Sequence, residues 1–318
     1  MLRVPANALG AKAVLSGLAT YIPGYDYMRR TGGTDSARYC YAVWLRHLIL
    51  ANESFGAGLP TVVAELGPGD SIGIGIAALL CGAEKYYALD VVPYSDLRSN
   101  LRIFDELVRL FEQREPVPGE SEFPLLYPKL RSYEFPAHLL DERHLREALR
   151  SQRVAEIRSS VERADAADSR ILYKAPWAEQ TVIENDCVDM IYSQAVLEHV
   201  QELRSVYEAM SRWLKRDGVM SHQIDYKCHG KANVWNGHWK YSDLVWKLIV
   251  GRRPYLLNRE PHSEHVKLLR EAGFRIVSET RVRSASTLRA RDLAAGFRGL
   301  SEDDLTTSGA FLVATLAE

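Results

Sequence analysis

Two short stretches carry residue types that can hold and orient a ligand. In Glu65-Leu-Gly67-Pro68-Gly69-Asp-Ser71, two glycines flank a proline and a carboxylate precedes them. Glycine takes backbone dihedrals closed to other residues and lets the main chain approach a ligand closely. Asp90 stands roughly twenty residues further on, where a strand-end carboxylate can accept hydrogen bonds from both hydroxyls of a ribose. Later in the chain come His199, His222, Asp225, His229 and His238. Histidine titrates near neutrality, which suits taking a proton from an acceptor hydroxyl.

These residues need elements to place them. Thr61-Val-Val-Ala-Glu-Leu66 is a β-branched run that stops at Gly67, so it reads as a buried strand ending in a tight turn. Ser71–Leu80 is small and apolar, like a helix packed on a sheet, and Lys85–Asp90 reads as the next strand. Strand, glycine turn, helix and strand form one βαβ unit, which implies a right-handed crossover and a parallel sheet. In such sheets ligands bind beyond the carboxyl ends of the strands. Both the glycine turn and Asp90 fall there.

The rest of the chain extends this pattern. Asp35 is placed to cap a helix over Ser36–Leu50. Leu97, Leu101, Phe104, Leu107 and Leu110 recur at helical steps. A Pro-rich polar stretch, Glu115–Pro136, precedes a charged helical run over Asp141–Arg163. The next strand comes only near Arg170–Tyr173, so residues from about 112 to 165 read as an insertion, either a lid over the site or a surface elaboration. Further strands are expected at Cys187–Ser193 and Gly218–Asp225, with helices over Val200–Leu214 and His262–Ala272. Phe274–Val282 and Ala310–Leu316 are the last two strands. The fold class is therefore α/β: a doubly wound, Rossmann-like, mostly parallel sheet with an antiparallel C-terminal edge strand and a helical insertion. Residues 1–58 form an N-terminal helical segment and 59–318 the main domain.

Composition narrows the function classes. The 318 residues are 47% hydrophobic and 25% charged, an ordinary globular balance. A net charge of -1 provides no global field for nucleic acid, and no nucleic-acid motif is present. Cys40, Cys81, Cys187 and Cys228 lie far apart, which reads as free thiols in a reducing cytoplasm. No apolar run approaches the length of a membrane span, and the mildly apolar start reads as a helix rather than a signal peptide. The expected setting is cytoplasmic, without an integral membrane segment; a homodimer stays open. No metal is expected, because His222, Asp225 and His229 match no standard ligand spacing.

The glycine turn and Asp90 suit a dinucleotide and S-adenosylmethionine about equally. Three features separate them. The turn is not GxGxxG, since Ile72 stands where the last glycine would be. Glu65 can help hold a positively charged amino-acid moiety. Finally, Asp189-Met-Ile-Tyr-Ser193 is followed by Val196-Leu-Glu198-His199-Val200. On these residues the chain resembles the class I S-adenosylmethionine-dependent methyltransferases: Glu65–Gly69 is similar to their first motif, Asp90 to the second and Asp189–Val200 to the fourth. Leu214–Val219 looks like the turn before the fifth strand, and Glu271–Phe274 like the helix-to-strand turn near the family's end. The resemblance spans about residues 60–225. Ser71, where many members carry a third glycine, departs from it, as does the insertion.

The resemblance implies S-adenosylmethionine as cofactor. It puts Glu65, Gly67, Pro68 and Gly69 along the methionine portion and Asp90 at the ribose. Trp177 and Ala178 would flank the adenine, and Ser193 and Gln194 the methyl group. Ile224-Asp225-Tyr226, then His229, resembles a motif of some polysaccharide-cluster methyltransferases, which makes Asp225 and His229 substrate-facing. His199, part of a motif shared across many specificities, reads as a positioning residue in the catalytic group. The expected reaction is O-methylation of a sugar, glycan or other small hydroxylated acceptor. A natural-product or lipid-like hydroxyl is the alternative acceptor. An NAD-dependent enzyme and a non-catalytic nucleotide binder are the alternatives from other classes. Asn233–Trp246 holds three of the six tryptophans, either as an acceptor wall or as a hydrophobic cover. Asn258 and Arg259, with His262, are placed to touch an anionic or hydroxylated acceptor.

Overall fold

The β-branched run near residue 61 forms β1 (Val62–Leu66), the middle of the first half of a seven-stranded sheet. A computed structural model describes residues 6–24, 34–177 and 181–317. The other strands are β2 (Lys85–Leu89), β3 (Ile171–Lys174), β4 (Val188–Gln194), β5 (Leu214–Asp225), β6 (Phe274–Arg283) and β7 (Thr307–Leu316). Their order is β3-β2-β1-β4-β5-β7-β6. Strands β1 to β5 pair in parallel. The antiparallel pairing expected near the C-terminus is made by β7, which lies between β5 and the outermost β6.

Strands buried on both faces need helices on both. One layer comprises α2 (Ala37–Phe55), α3 (Gly73–Leu80), α4 (Leu97–Glu112) and α6 (Ser151–Glu162); the other comprises α7 (Leu203–Trp213) and α9 (His262–Glu271). Alternation along β4 shows the sorting: Tyr192 joins the α2 side and Ile191 the α7 side. Each large apolar side chain buried this way stabilises the fold by about 1.5–3 kcal/mol.

Helix α2 is the central support of its layer. Trp44, Leu45 and Leu48 are fully buried. Its cap is Ser36, whose hydroxyl accepts from Tyr39 N, rather than the expected Asp35. Segment 113–140 wraps over it: the Tyr41 hydroxyl donates to Glu115 O and Arg46 Nη1 to Pro128 O, at 2.7 and 2.5 Å. The charged run expected as one helix is broken into α5 (Glu142–Ala148) and α6 at Leu149-Arg150. A separate pair, α1 (Ala6–Ala19) and α8 (Asp243–Val250), packs through Ala13, Trp246 and Ile249.

Candidate active site at the switch point

Strands β1 and β4 are neighbours, yet the chain leaves β1 toward β2 and β3 and leaves β4 toward β5. The order reverses between them, and that is where an open α/β sheet forms its binding crevice. Four strand ends meet at it: Gly67–Gly69 after β1, Asp90 after β2, Gln194–Val196 after β4 and Asp225 at the end of β5.

The glycine turn is held from two sides. Gly67 and Gly69 have φ of 66° and 72°, the left-handed region that favours glycine. Gly67 N donates to Leu89 O at 2.8 Å, and Gly69 N donates to Asp90 Oδ2 at 3.0 Å. The other oxygen of Asp90 accepts from Val91 N at 2.7 Å. Burial pushes the Asp90 carboxyl up, while these amides pull against that shift. A Cβ on Gly67 would lie 2.6 Å from Val196 Cγ2, so the bare backbone closes onto the end of β4. Ala195, beside it, also takes a left-handed φ of 54°. This is a cradle that a side chain would fill, with a carboxylate at its rim, and it fits the sulfonium-bearing nucleoside that the motifs imply.

Other expected cofactor residues are distributed differently. Glu65 does not face the crevice: it is 2% exposed, and Oε2 accepts from the hydroxyls of Tyr86 and Tyr192 beneath the turn. Burial raises its carboxyl to about 8. Pro68 lies in the turn, where its carbonyl accepts from the Thr34 hydroxyl at 2.9 Å. Trp177 N donates to Asp90 O at 3.0 Å, and its ring meets Trp213 edge-on at 5.5 Å. Ala178 lies outside the described residues. Ser193 is fully buried, its hydroxyl paired with His222 Nδ1 at 2.8 Å on the α7 side. Gln194 points to the α2 side, where His47 Nε2 and Gln194 Oε1 are 3.2 Å apart and Gln223 accepts from its amide.

The end of β5 carries the titratable groups. Asp225 Oδ2 lies 3.6 Å from His229 Nε2. Burial pushes Asp225 up, but His229 and Lys227 outweigh it and hold the carboxyl below its ordinary value. The His199 ring meets His229 at 5.3 Å and Tyr255 at 5.6 Å. Burial first, and the neighbouring His229 second, lower His199 to about 4, so it is neutral at pH 7. Beside it Glu198 is 2% exposed, and among the described residues neither of its carboxyl oxygens has a hydrogen-bond partner. Burial raises it well above the carboxylate range. The structure thus brings Asp225, His229 and His199 together. His222, three residues before Asp225, points to the opposite face and pairs with Ser193 instead.

Several lining residues escaped sequence reasoning. The Tyr94 and Tyr255 hydroxyls are 2.9 Å apart, which links the loop after β2 to the loop after α8. The Tyr127 hydroxyl, from segment 113–140, donates to Ile224 O at 2.8 Å. No local pattern marks these tyrosines, because each partner lies about a hundred residues or more away. The tryptophans of Asn233–Trp246 act as a cover: Trp239 is fully buried against Leu293 and Leu305. Arg259, buried between Trp246 and Phe297, pairs with Asp243. Asn258 donates to Leu197 O and Val200 O, which pins the turn that carries Glu198 and His199. His262 is tied to Tyr226 and Glu279.

The methyltransferase domain family matches residues 146–221, which include β4 and the Glu198–His199 turn. No curated protein matches the chain. Among solved structures, the chain is similar to an S-adenosylmethionine-dependent methyltransferase from Mesorhizobium loti, at 12% identity and a TM-score of 0.39, covering 84% of this chain and 96% of that one. It is also similar to a phosphoethanolamine N-methyltransferase of Haemonchus contortus in complex with S-adenosyl-L-methionine, at 12% identity and a TM-score of 0.42, covering 96% and 57%. A third is the cyclase SpnF, at 14% identity and a TM-score of 0.43, covering 98% and 94%.

Residues 146–221 thus match a methyltransferase domain, and the glycine turn and Asp90 frame a crevice at the strand reversal. The sheet itself is Rossmann-like.

Proposed function

We propose that this chain is an S-adenosylmethionine-dependent methyltransferase that O-methylates a small hydroxylated acceptor, a sugar or glycan, at the crevice between the ends of β4 and β5. The Asp225–His229 pair supports this reading. A carboxylate held ionised stands at ion-pair distance from an imidazole, and a second, neutral imidazole packs against that ring. The resemblance of Ile224–His229 to polysaccharide-cluster enzymes supports the acceptor class.

When bound, S-adenosylmethionine supplies an electrophilic methyl group. The chain's own residues align, desolvate and deprotonate. The Gly67–Gly69 turn and Asp90 hold the nucleoside by backbone approach and by the ribose hydroxyls. His229 takes the acceptor's hydroxyl proton, and Asp225 steadies the imidazolium that results. His199 orients the His229 ring. Tyr255 and Tyr94 bridge the crevice between them and limit water.

Calorimetry with S-adenosylhomocysteine tests the cofactor half. Asp90→Ala should weaken binding about a hundredfold, the loss of two charge-assisted hydrogen bonds; unchanged affinity removes Asp90 from the site. The acceptor half is tested by radiolabelled methyl transfer to a panel of sugars and glycans. His229→Ala should lower turnover about a hundredfold or more and leave S-adenosylhomocysteine affinity within twofold. Full turnover in that variant would sink its role as base.

A further inference from the structure

Among the described residues, six of the ten exposed large apolar side chains lie on or beside one pair of helices. Leu15, Leu18, Tyr21 and Ile22 on and just after α1 are 65, 43, 53 and 61% exposed, and Leu244 and Leu248 on α8 are 71 and 38% exposed. The two helices run side by side in the same direction. A Cβ on Gly10 would meet the Tyr241 hydroxyl, and one on Gly17 would meet the carbonyls of Leu248 and Ile249. At these glycines the two helices pack backbone to backbone, which displays their leucines side by side.

Apart from Asp243, the charged side chains on the two helices and just after them are basic. Lys12, Lys240, Lys247 and Arg252 are exposed, with Arg252 lying over the Tyr21 ring at 5.1 Å. Helix α1 contains no acidic residue. Asp243, at the first turn of α8, is exposed and paired with the buried Arg259. Exposed leucine and isoleucine with an aromatic side chain, bordered by lysine and arginine, is the composition that settles at a lipid–water interface. A protein partner for such a patch would need a matching apolar surface with acidic flanks. An anionic bilayer offers both at once.

We infer that the α1–α8 pair is a peripheral docking surface for anionic lipid. The loop that leaves α8 runs to Tyr255 and Asn258 at the crevice, so docking would bring the crevice toward the bilayer. The inference does not depend on which acceptor is methylated.

The 318-residue chain should co-sediment with vesicles of phosphatidylcholine and phosphatidylglycerol in low salt. Binding to phosphatidylcholine alone should be at least tenfold weaker, and molar salt should release the protein. Lys247→Glu and Arg252→Glu should each weaken binding about fivefold or more. Leu15→Ser with Leu18→Ser should abolish it, while S-adenosylhomocysteine affinity stays unchanged. Should that pair unfold, Leu244→Ser with Leu248→Ser is the equivalent measurement on the other helix. Wild-type protein that stays in the supernatant with anionic vesicles overturns the inference. So does a wild-type dimer in light scattering that the leucine variants convert to monomer, since a second copy would then cover the face.

Discussion

Glu65 keeps its proton through the neutral range because two tyrosyl hydroxyls and a closed core surround it. An acid whose pKa rises from 4.5 to about 8 on folding binds its proton more tightly in the native state. Stability is therefore full below the ordinary carboxylate value and declines as pH climbs to about 8. Glu65→Gln keeps the shape without the ionisation. Its urea midpoint should change less between pH 5 and pH 8 than that of the wild type; equal slopes would mean that Glu65 is ionised in the fold. At Gly67, an alanine meets both an unfavourable φ and the Val196 methyls. Gly58 has a similar φ of 72° with open space around it, so Gly58→Ala isolates the backbone cost of about 1–2 kcal/mol. Gly67→Ala should cost about 1–3 kcal/mol more by urea denaturation, a difference that measures how tightly the turn closes on β4.

The loops after β2 and α8 meet through Tyr94 and Tyr255, whose side chains cross the crevice. Tyr255→Phe removes that hydroxyl pair, a net loss of about 1 kcal/mol. S-adenosylhomocysteine should then leave about fivefold faster, as read by stopped-flow tryptophan fluorescence; an unchanged off-rate would show that the bridge does not restrain the ligand. The contrast with the glycine turn explains what the sequence reveals. The turn, Asp90 and the strand they end are local, and residues 61–90 announce them by residue type alone. Elements paired by periodicity were legible too, as in α4 and α7. The partners of Glu65, Gln194 and Tyr255 were not, because strand neighbours and crossing loops are set by the sheet order. Glu65 is two residues from Gly67, yet its side chain turns to the α2 side, where Tyr86 and Tyr192 enclose it. The cap at Ser36 instead of Asp35 is the same lesson on a smaller scale, since either side chain suits the position and the helix start decides.

Four histidines, His47, His222, His238 and His265, are buried to 2% exposure or less, and desolvation lowers each to about 3. Folded, they stay neutral down to that range; unfolded, they take protons near 6.5. Stability is thus retained above pH 6.5 and falls as pH drops, by up to roughly 5 kcal/mol per pH unit once all four titrate. The urea midpoint should fall steeply between pH 6 and pH 4, and His238→Phe should lower that slope by about one proton. A flat midpoint over that interval would mean that the imidazoles are charged inside the fold. Sheet order has its own consequence for biosynthesis. Strand β6 leaves the ribosome before β7, yet among the described residues β7 is its one neighbour in the sheet. Until residues 307–316 arrive, the nascent chain carries a ten-residue ribbon with nothing to pair against. Arg275, Glu279, Arg281 and Arg283 along that ribbon act as electrostatic guards that keep one unfinished chain from zipping onto another.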